Sequence, residues 1–205
     1  VVLSYWFYYT KFLLLSPCRF NLIMCLIFVT NGANYTSVFA IIIFTGVIMG
    51  QILSRKNVSD FVKKLHAAGK TVVTTNGCFD ILHVGHVRYL QKTKSFADYL
   101  IVLLNSDKSV RSIKGPERPI NNENDRAEIL TALSCVDFVV LFDEDSPASL
   151  LDEIKPDVYT KGADYTMETL PERDIMIKNG TKVEFIDFVQ GKSTTNIIDK
   201  INNKE

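Results

Sequence analysis

Residues 71–86 read TVVTTNGCFDILHVGH. The β-branched run at the start of this stretch is typical of a buried strand, and a loop follows it directly. Gly77 lets backbone amides approach an anion, and His83 and His86, three residues apart at the start of the next predicted helix, can donate hydrogen bonds to phosphate oxygens. Gly85 leaves room for a ligand against that helix. The stretch therefore predicts a strand, an anion-binding loop and a helix N-terminus.

Apolar strands alternate with helices through the remaining chain. The predicted strands after the first, at 71–75, are 98–105, 136–142, 157–162 and 182–188. The predicted helices are 54–68, 84–94, 121–133, 147–154, 172–179 and 195–202, and residues 106–119 are expected to form a polar loop. Strands that are apolar on both faces indicate a parallel sheet covered by helices on both sides. Right-handed crossovers then give an α/β fold with a doubly wound, five-stranded parallel sheet, which binds ligands beyond the carboxyl ends of its strands.

The first fifty residues differ from the rest in composition, because Lys11 and Arg19 are their only charged side chains. Residues 37–53, SVFAIIIFTGVIMGQIL, are apolar and could form a short transmembrane helix, for which the usual length is about 17–25 residues. The basic residues after this segment would place the rest of the chain in the cytoplasm, with a possible inner-membrane anchor and membrane contact through residues 37–53.

A second interpretation of this region is that the natural protein begins at Met49. We therefore divide the chain into an apolar leader, residues 1–48, and a domain formed by residues 49–205. The leader is either a membrane segment or sequence upstream of the true start.

Charge and cysteine content exclude several classes of protein. The chain has 23 basic and 23 acidic side chains, so no basic excess indicates a nucleic-acid partner. Its 4 cysteines lie far apart, which argues against a zinc ribbon or a disulfide scaffold and fits a reducing compartment. His66 lies on a different predicted helix from the paired histidines, so we predict no metal site.

The motif NGCFDILHVGH resembles the signature of the HxGH nucleotidyltransferases, a Rossmann-like group that includes the cytidylyltransferases. Three further stretches resemble, in the same order, bacterial adenylyltransferases that act on D-glycero-β-D-manno-heptose 1-phosphate: LLNSDKSVRSIKGPERPINNENDRAEIL, KPDVYTKGADY and GKSTTNIIDKI. The resemblance covers about residues 51–203. It implies transfer of AMP from ATP to the sugar 1-phosphate with release of pyrophosphate, Mg²⁺ on the phosphates and a homodimer.

The resemblance also implies roles for individual residues. The implied catalytic residues are His83, His86, Lys114 and Arg126. The implied nucleotide-binding residues are Asn76, Gly77, Cys78, Phe79, Asp80, Gly85, Lys161, Gly162, Asp164, Gly191, Ser193, Thr194 and Thr195.

The residues alone leave simpler interpretations open for several of these positions. Lys114 could be a solvated loop lysine, and Arg126 could pair with Glu123 on its own helix. Residues 193–195 could be an ordinary helix cap. Cys78 is expected to fill space rather than act as a nucleophile, and the acidic cluster at 143–145 is expected to be solvated, with contact to Mg²⁺ or substrate hydroxyls as the alternative.

Two other functions remain open. One is a cytidylyltransferase such as glycerol-3-phosphate cytidylyltransferase, although such enzymes have an arginine shortly before the GxSTT motif and the stretch DFVQGKSTT lacks it. The other is a membrane-tethered nucleotide-binding module without turnover, and the completeness of the HxGH motif argues against it.

Overall fold

The computed structural model describes residues 5–9, 20–23, 25–29, 44–47, 49–187, 191 and 193–202. The chain divides into two compact units, Val1–Ile48 and Met49–Glu205. The strands of the first unit are β1 (Tyr5–Tyr9), β2 (Phe20–Ile23), β3 (Cys25–Val29) and β4 (Phe44–Val47). β1 pairs with β3 and β2 pairs with β4, and both pairs are antiparallel.

Where the structure describes residues 37–53, it has two strands and not the expected transmembrane helix. Residues 44–47 form β4, and Gln51–Leu53 form β5, a strand in the sheet of the second unit. Residues 37–43 and 48 lie outside the described residues. Among the helices that the structure describes, none combines the length and the apolar character needed to cross a bilayer.

The second unit alternates strands and helices, as the sequence predicts. Its strands are β5 (Gln51–Leu53), β6 (Val72–Gly77), β7 (Tyr99–Asn105), β8 (Phe138–Phe142), β9 (Val158–Gly162) and β10 (Lys182–Ile186). Its helices are α1 (Arg55–Ala67), α2 (Val84–Lys94), α3 (Asp107–Lys114), α4 (Glu123–Thr131), α5 (Ala148–Ile154), α6 (Arg173–Asn179) and α7 (Thr194–Asn202).

The sheet of this unit is parallel throughout and has the strand order β10-β9-β6-β7-β8-β5. The predicted doubly wound α/β fold is therefore confirmed, but the sheet has six strands instead of five. The additional strand is β5, which pairs with β8 at the sheet edge. Its three residues are too few to show a periodic pattern, so no separate signal for a strand is visible there in the sequence.

Helices cover both faces of the sheet because β7 is apolar on both sides. Leu100, Val102 and Leu104 pack in a cluster with α2 and α4. Ile101 and Leu103 alternate with them and pack with α1, α5 and α6 on the other face. Side chains that alternate between the faces of a strand need a helical layer on each side, which is the three-layer arrangement seen here.

The expected polar loop at 106–119 contains a helix, α3. Ser106 caps this helix by accepting a hydrogen bond from the Ser109 amide at 3.3 Å, and Gly115, with a φ of 96°, ends it. Val110 is buried, and the remaining surface of the helix is largely polar. Val110 and Ile113 are the only apolar side chains in these eight residues, and two positions one turn apart are too few to distinguish a short helix from a polar loop by sequence.

Truncating the centre of the sheet should destabilise the protein strongly. Leu103 is fully buried in β7, and Leu103→Ala should lower the free energy of unfolding by about 2–5 kcal/mol, because the neighbours cannot fill the space it leaves. Urea denaturation of the full chain measures the change. Ile177→Ala, at a side chain that is 60% exposed, is the control and should change it little. Equal losses for both variants would contradict the position of β7 in the core.

Candidate functional site

The site lies where the strand order of the sheet reverses. From β6 the chain continues to β7 on one side, and later returns to β9 on the other side of β6. The loops that follow β6 and β9 therefore diverge and leave a crevice at the carboxyl ends of these strands. A cavity of about 640 Å³ opens in this crevice.

Most of the predicted site residues line this cavity. Those it brings together are Asn76, Gly77, Cys78, Phe79, Asp80, His83, Gly85, His86, Lys114, Lys161, Gly162, Asp164, Ser193, Thr194 and Thr195. Arg126 and Gly191 are not among the lining residues. Gly191 lies in a turn before α7 with a φ of 73°, a conformation that favours glycine.

The two histidines of the HxGH motif stack on each other at the start of α2. Their ring centroids are 3.9 Å apart with 19° between the planes, and the Phe79 ring meets the His86 ring edge-on at 5.2 Å. Burial, and secondarily the neighbouring His83, lower the pKa of His86 to about 4. The imidazole of His86 is therefore neutral near pH 7 and would act as a hydrogen-bond donor rather than as a fixed positive charge.

A buried nitrogen of His86 is left unsatisfied. Its Nδ1 has no hydrogen-bond partner within the described residues. Leaving a buried polar atom without a partner costs about 1–3 kcal/mol, so such atoms are rare away from functional sites. The observation supports a ligand-binding role for the crevice.

The loop between β6 and α2 has an unusual backbone at Phe79. This residue has a φ of 42°, in the left-handed region that non-glycine residues seldom adopt. Its ring folds back over Gly77, where an added Cβ would lie 2.9 Å from the ring. Glycine at position 77 therefore allows Phe79 to occupy this position beside the histidines.

Asp80 lines the cavity, but its carboxylate binds the protein itself. The carboxylate oxygens accept hydrogen bonds from Arg118 Nε at 2.6 Å, the Ile120 amide at 2.8 Å and the Asn121 amide at 3.0 Å. Burial by itself would raise the pKa of Asp80, but these hydrogen bonds and the charge of Arg118 outweigh it, and the pKa lies below its ordinary value. The side chain thus anchors residues 118–121 beside the loop between β6 and α2.

Arg126, which was expected to be catalytic, is not among the residues that line the cavity. It is 1% exposed and lies behind the cavity wall, where its guanidinium donates hydrogen bonds to the carbonyl oxygens of Cys78, Asn105 and Asn121 at 2.6, 2.8 and 3.0 Å. It also forms an ion pair with Asp107 at 2.8 Å, not with Glu123. Arg126 joins the loops after β6 and β7 to the α3 and α4 helices, and no sequence pattern distinguishes this buried position from a solvated one.

The second helix N-terminus at the cavity belongs to α7. The Thr194 hydroxyl donates a hydrogen bond to the Ile81 carbonyl at 3.2 Å, which ties α7 to the loop before α2. The Ser193 hydroxyl accepts from the Asn196 amide at 3.0 Å. Residues 193–195 therefore both cap α7 and line the cavity. Two helix N-termini at one cavity favour the binding of an anion with several negative oxygens.

Lys114 and Asp145 approach the cavity from the loops after β7 and β8. Lys114 is the last residue of α3 and lines the cavity. Of the acidic cluster at 143–145, Glu144 pairs with Arg55 at 2.6 Å, and Asp145 lines the cavity. Within the part of the chain that the structure describes, no group of three or more histidine, cysteine, aspartate or glutamate side chains could hold a metal ion.

A buried polar network lies at the ends of β6 and β9, and sequence analysis found only part of it. Lys161 Nζ donates to Asn76 Oδ1 at 2.9 Å and to the Tyr159 hydroxyl at 3.0 Å, and lies 3.5 Å from Glu172 Oε2. Burial lowers the pKa of Lys161, and the negative charge of Glu172 opposes this effect. Tyr159 and Glu172 were missed because a strand tyrosine and a glutamate before a weak helix carry no motif.

Other residues at the cavity also escaped sequence analysis. Those that line it besides the predicted set include Tyr89, Asn105, Arg118, Ser146, Tyr165 and Glu172. Of these, Arg118 lies in the stretch KGPERP, and its positive charge close to Lys114 in the sequence was the signal that could have indicated a role at the cavity.

Removing the guanidinium of Arg126 should destabilise the protein and loosen the loop between β6 and α2. Arg126→Met leaves three carbonyl oxygens without their donor and Asp107 without its partner, so the free energy of unfolding should fall by about 3–5 kcal/mol. Chemical denaturation measures it. Arg88→Met, at an exposed arginine of α2, is the matched control and should change stability by no more than about 0.5 kcal/mol. An unchanged stability in Arg126→Met would contradict the buried network.

The pKa of His86 offers a test of the stacked pair. A ¹⁵N NMR titration of the free protein should place the midpoint of His86 near 4, well below the ordinary 6.5, because burial disfavours the charged imidazolium. In His83→Gln the midpoint should rise but stay below 6.5, since burial is the larger of the two causes. A midpoint at or above 6.5 in the unsubstituted protein would rule out this environment.

Comparison with known proteins agrees with the geometry of the site. The sequence model of the cytidylyltransferase-like family matches residues 74–200, which include the first loop, both histidines and the α7 N-terminus. Two curated relatives carry the name bifunctional protein HldE. The one from Syntrophotalea carbinolica is 53% identical over 151 residues, 74% of this chain and 31% of that protein. The one from Geobacter metallireducens is 57% identical over 135 residues, 66% of this chain and 28% of that protein.

A solved structure shows the same fold. The crystal structure of the lipopolysaccharide core biosynthesis protein from Thermoplasma volcanium is 31% identical, has a TM-score of 0.50, and covers 60% of this chain and 100% of its own. The chain spans about a third of the length of the curated relatives that it matches. The resemblance drawn from the motifs is confirmed: the chain belongs to the cytidylyltransferase-like family and is a nucleotidyltransferase.

Proposed function

We propose that this nucleotidyltransferase transfers AMP from ATP to D-glycero-β-D-manno-heptose 1-phosphate, giving ADP-heptose and pyrophosphate. The observation that carries the transfer is the convergence of the stacked His83–His86 pair and the N-termini of α2 and α7 on one cavity. The choice of acceptor is supported by the three stretches that resemble heptose 1-phosphate adenylyltransferases, and by the similarity to a lipopolysaccharide core biosynthesis protein.

The reaction needs no nucleophile from the protein. A phosphate oxygen of the acceptor attacks the α-phosphorus of ATP in line with the leaving pyrophosphate, so one phosphorus–oxygen bond forms as another breaks. The protein must align the two substrates and neutralise charge on the non-bridging and leaving oxygens. In the absence of an activated nucleophile, catalysis depends on donors already in position.

The residues at the crevice supply such donors. We assign His83 and His86 to the triphosphate, where their N–H groups would donate hydrogen bonds to the oxygens on which negative charge develops. Lys114 at the end of α3 and the amides at the start of α7 would bind the leaving pyrophosphate. Asn76 and Lys161, at the ends of β6 and β9, lie where the substrates must meet.

Mg²⁺ fits this set of residues as a companion of the triphosphate. It prefers oxygen ligands and commonly keeps several waters, with one or two carboxylates besides substrate phosphates. Asp145 and Asp164 are carboxylates that line the cavity and would be available to it. When bound, the ion would neutralise part of the phosphate charge.

A cytidylyltransferase acting on glycerol 3-phosphate is the second candidate function. The description of the matching family favours it, because that description names cytidylyl transfer. The stretch before GKSTT opposes it, since it lacks the arginine of such enzymes. We further propose a cytoplasmic catalytic unit, which accords with Cys78 not being in a disulfide, and a homodimer, which follows from the sequence resemblance.

An assay of pyrophosphate release tests the function directly. The full chain should release pyrophosphate with ATP and D-glycero-β-D-manno-heptose 1-phosphate, and His83→Ala or His86→Ala should lower kcat by about 10²–10³, the usual effect of losing one transition-state donor. His66→Ala is the matched control, because this histidine lies on α1 and does not line the cavity.

The alternative outcomes of this assay are distinct. Turnover with CTP and glycerol 3-phosphate, but not with ATP and the heptose phosphate, would replace the named reaction and keep the mechanism. Equal rates for His83→Ala, His86→Ala and the unsubstituted chain would contradict the mechanism itself.

A further inference from the structure

An ion pair between Lys161 and Glu172 is buried beside the crevice. The side chain of Lys161 is 13% exposed and that of Glu172 is 2% exposed. Burying two charges costs free energy that their attraction seldom exceeds, so a buried pair is weak evidence for a stabilising role. This pair lies at the reversal of strand order, where Lys161 of β9 reaches Asn76 of β6. Its position suggests a role in the site rather than in stability.

All three N–H groups of the Lys161 ammonium have a partner within the protein. Two of the contacts are short, at 2.9 Å to Asn76 Oδ1 and 3.0 Å to the Tyr159 hydroxyl. The third, to Glu172 Oε2, is 3.5 Å long and at the limit for a hydrogen bond. Glu172 is held from its other oxygen, which accepts from the Ser146 hydroxyl at 3.3 Å. Of the three contacts, the one to Glu172 is the longest, and Glu172 keeps its contact with the Ser146 hydroxyl if Lys161 turns to another anion.

The network also fixes the orientation of Asn76. Its Oδ1 accepts from Lys161 at 2.9 Å and from the Tyr159 hydroxyl at 2.6 Å. Burial, and after it the charge of Glu172, raise the pKa of Tyr159 well above its usual value, so the phenol keeps the proton that it donates. Because both donors bind its oxygen, the side-chain amide of Asn76 is held in one orientation, in which the oxygen and not the nitrogen faces Lys161 and Tyr159. Asn76 is the last residue but one of β6, just before the loop that leads to α2.

The charge of Glu172 counteracts the effect of burial on Lys161. Burial lowers the pKa of Lys161, whereas the negative charge of Glu172, its hydrogen bond and the charge of Asp164 raise it. Of the groups that oppose the effect of burial on the pKa of Lys161, Glu172 is therefore the principal one. A neutral side chain of the same shape would retain the packing and remove this effect.

We propose that Glu172 is a positioning residue of the transferase, which holds Lys161 against Asn76 in the free protein and yields its contact to a substrate phosphate. Lys161 then binds the phosphate while it stays bonded to Asn76, so the arrival of the anion does not disturb the loop. The phosphate is supplied by the reaction proposed above, on which this part of the inference rests. The coupling of Glu172 to Lys161 does not depend on the identity of the acceptor.

The pH dependence of Glu172→Gln tests this role. Glutamine keeps the size of the side chain and removes its charge, so Lys161 should lose its proton at lower pH. The alkaline limb of the kcat/KM profile for the acceptor should therefore move to lower pH. Asp137→Asn is the matched control, since Asp137 is also a buried carboxylate paired with a lysine, Lys94 at 2.9 Å, but lies at the opposite end of the sheet. A limb that stays in place, or moves equally in the control, overturns the proposal.

A second measurement needs no turnover. In the full chain labelled with ¹⁵Nζ-lysine, the signal lost in Lys161→Met identifies Lys161, and its titration midpoint should be lower in Glu172→Gln than in the unsubstituted chain. Adding ATP alone, or the heptose 1-phosphate alone, should shift this signal in at least one case. Equal midpoints in the two proteins, or no shift with either ligand, overturn the proposal. If no substrate pair gives turnover, the proposed function fails, and this titration still tests Glu172.

Discussion

The reversal of strand order between β6 and β9 is the constraint on which the site depends. Because β7 and β9 lie on opposite sides of β6, the polypeptide must leave the sheet in two directions from neighbouring strand ends. The space between the diverging loops is the one place where both helix N-termini and both strand ends can meet a single ligand. Because β6 and β9 pair in parallel, Asn76 and Lys161 lie at neighbouring strand ends, and Lys161 Nζ is 2.9 Å from Asn76 Oδ1.

Buried charged groups hold the loops that the sheet cannot hold. A loop beyond the strand ends has no ladder of backbone hydrogen bonds, so its carbonyls and amides need other partners. Arg126 supplies donors to the carbonyls of Cys78, Asn105 and Asn121, and Asp80 supplies acceptors to the amides of Ile120 and Asn121. Both are almost fully buried, and both are paired with an opposite charge. Charge is tolerated here because every buried ion fixes several backbone groups at once.

Sequence patterns could predict the fold and the cavity lining, but not the buried charged groups that hold that lining in place. Buried strands such as β7 show as continuous apolar runs, and the HxGH spacing marks the start of α2, because both features are local in the chain. Strand β5 and helix α3 have too few apolar residues for a period to show. Arg126 pairs with Asp107, 19 residues away, and Glu172, the residue before α6, meets Lys161 from 11 residues away. A charged residue in such a pair has the same sequence signature as a solvated one, because only tertiary contacts distinguish them.

The free site is electrically balanced, and this balance bears on how it receives an anion. Lys161 is offset by Glu172, Arg118 by Asp80, and His86 is neutral because burial keeps its pKa near 4. Two imidazole rings stacked at 3.9 Å would repel each other if both were protonated. A triphosphate between the helix N-termini removes that repulsion, because its negative charge favours protonated partners. In our proposal Lys161 exchanges Glu172 for a phosphate oxygen as the ligand enters, so the empty crevice does not have to hold an unpaired ammonium out of water.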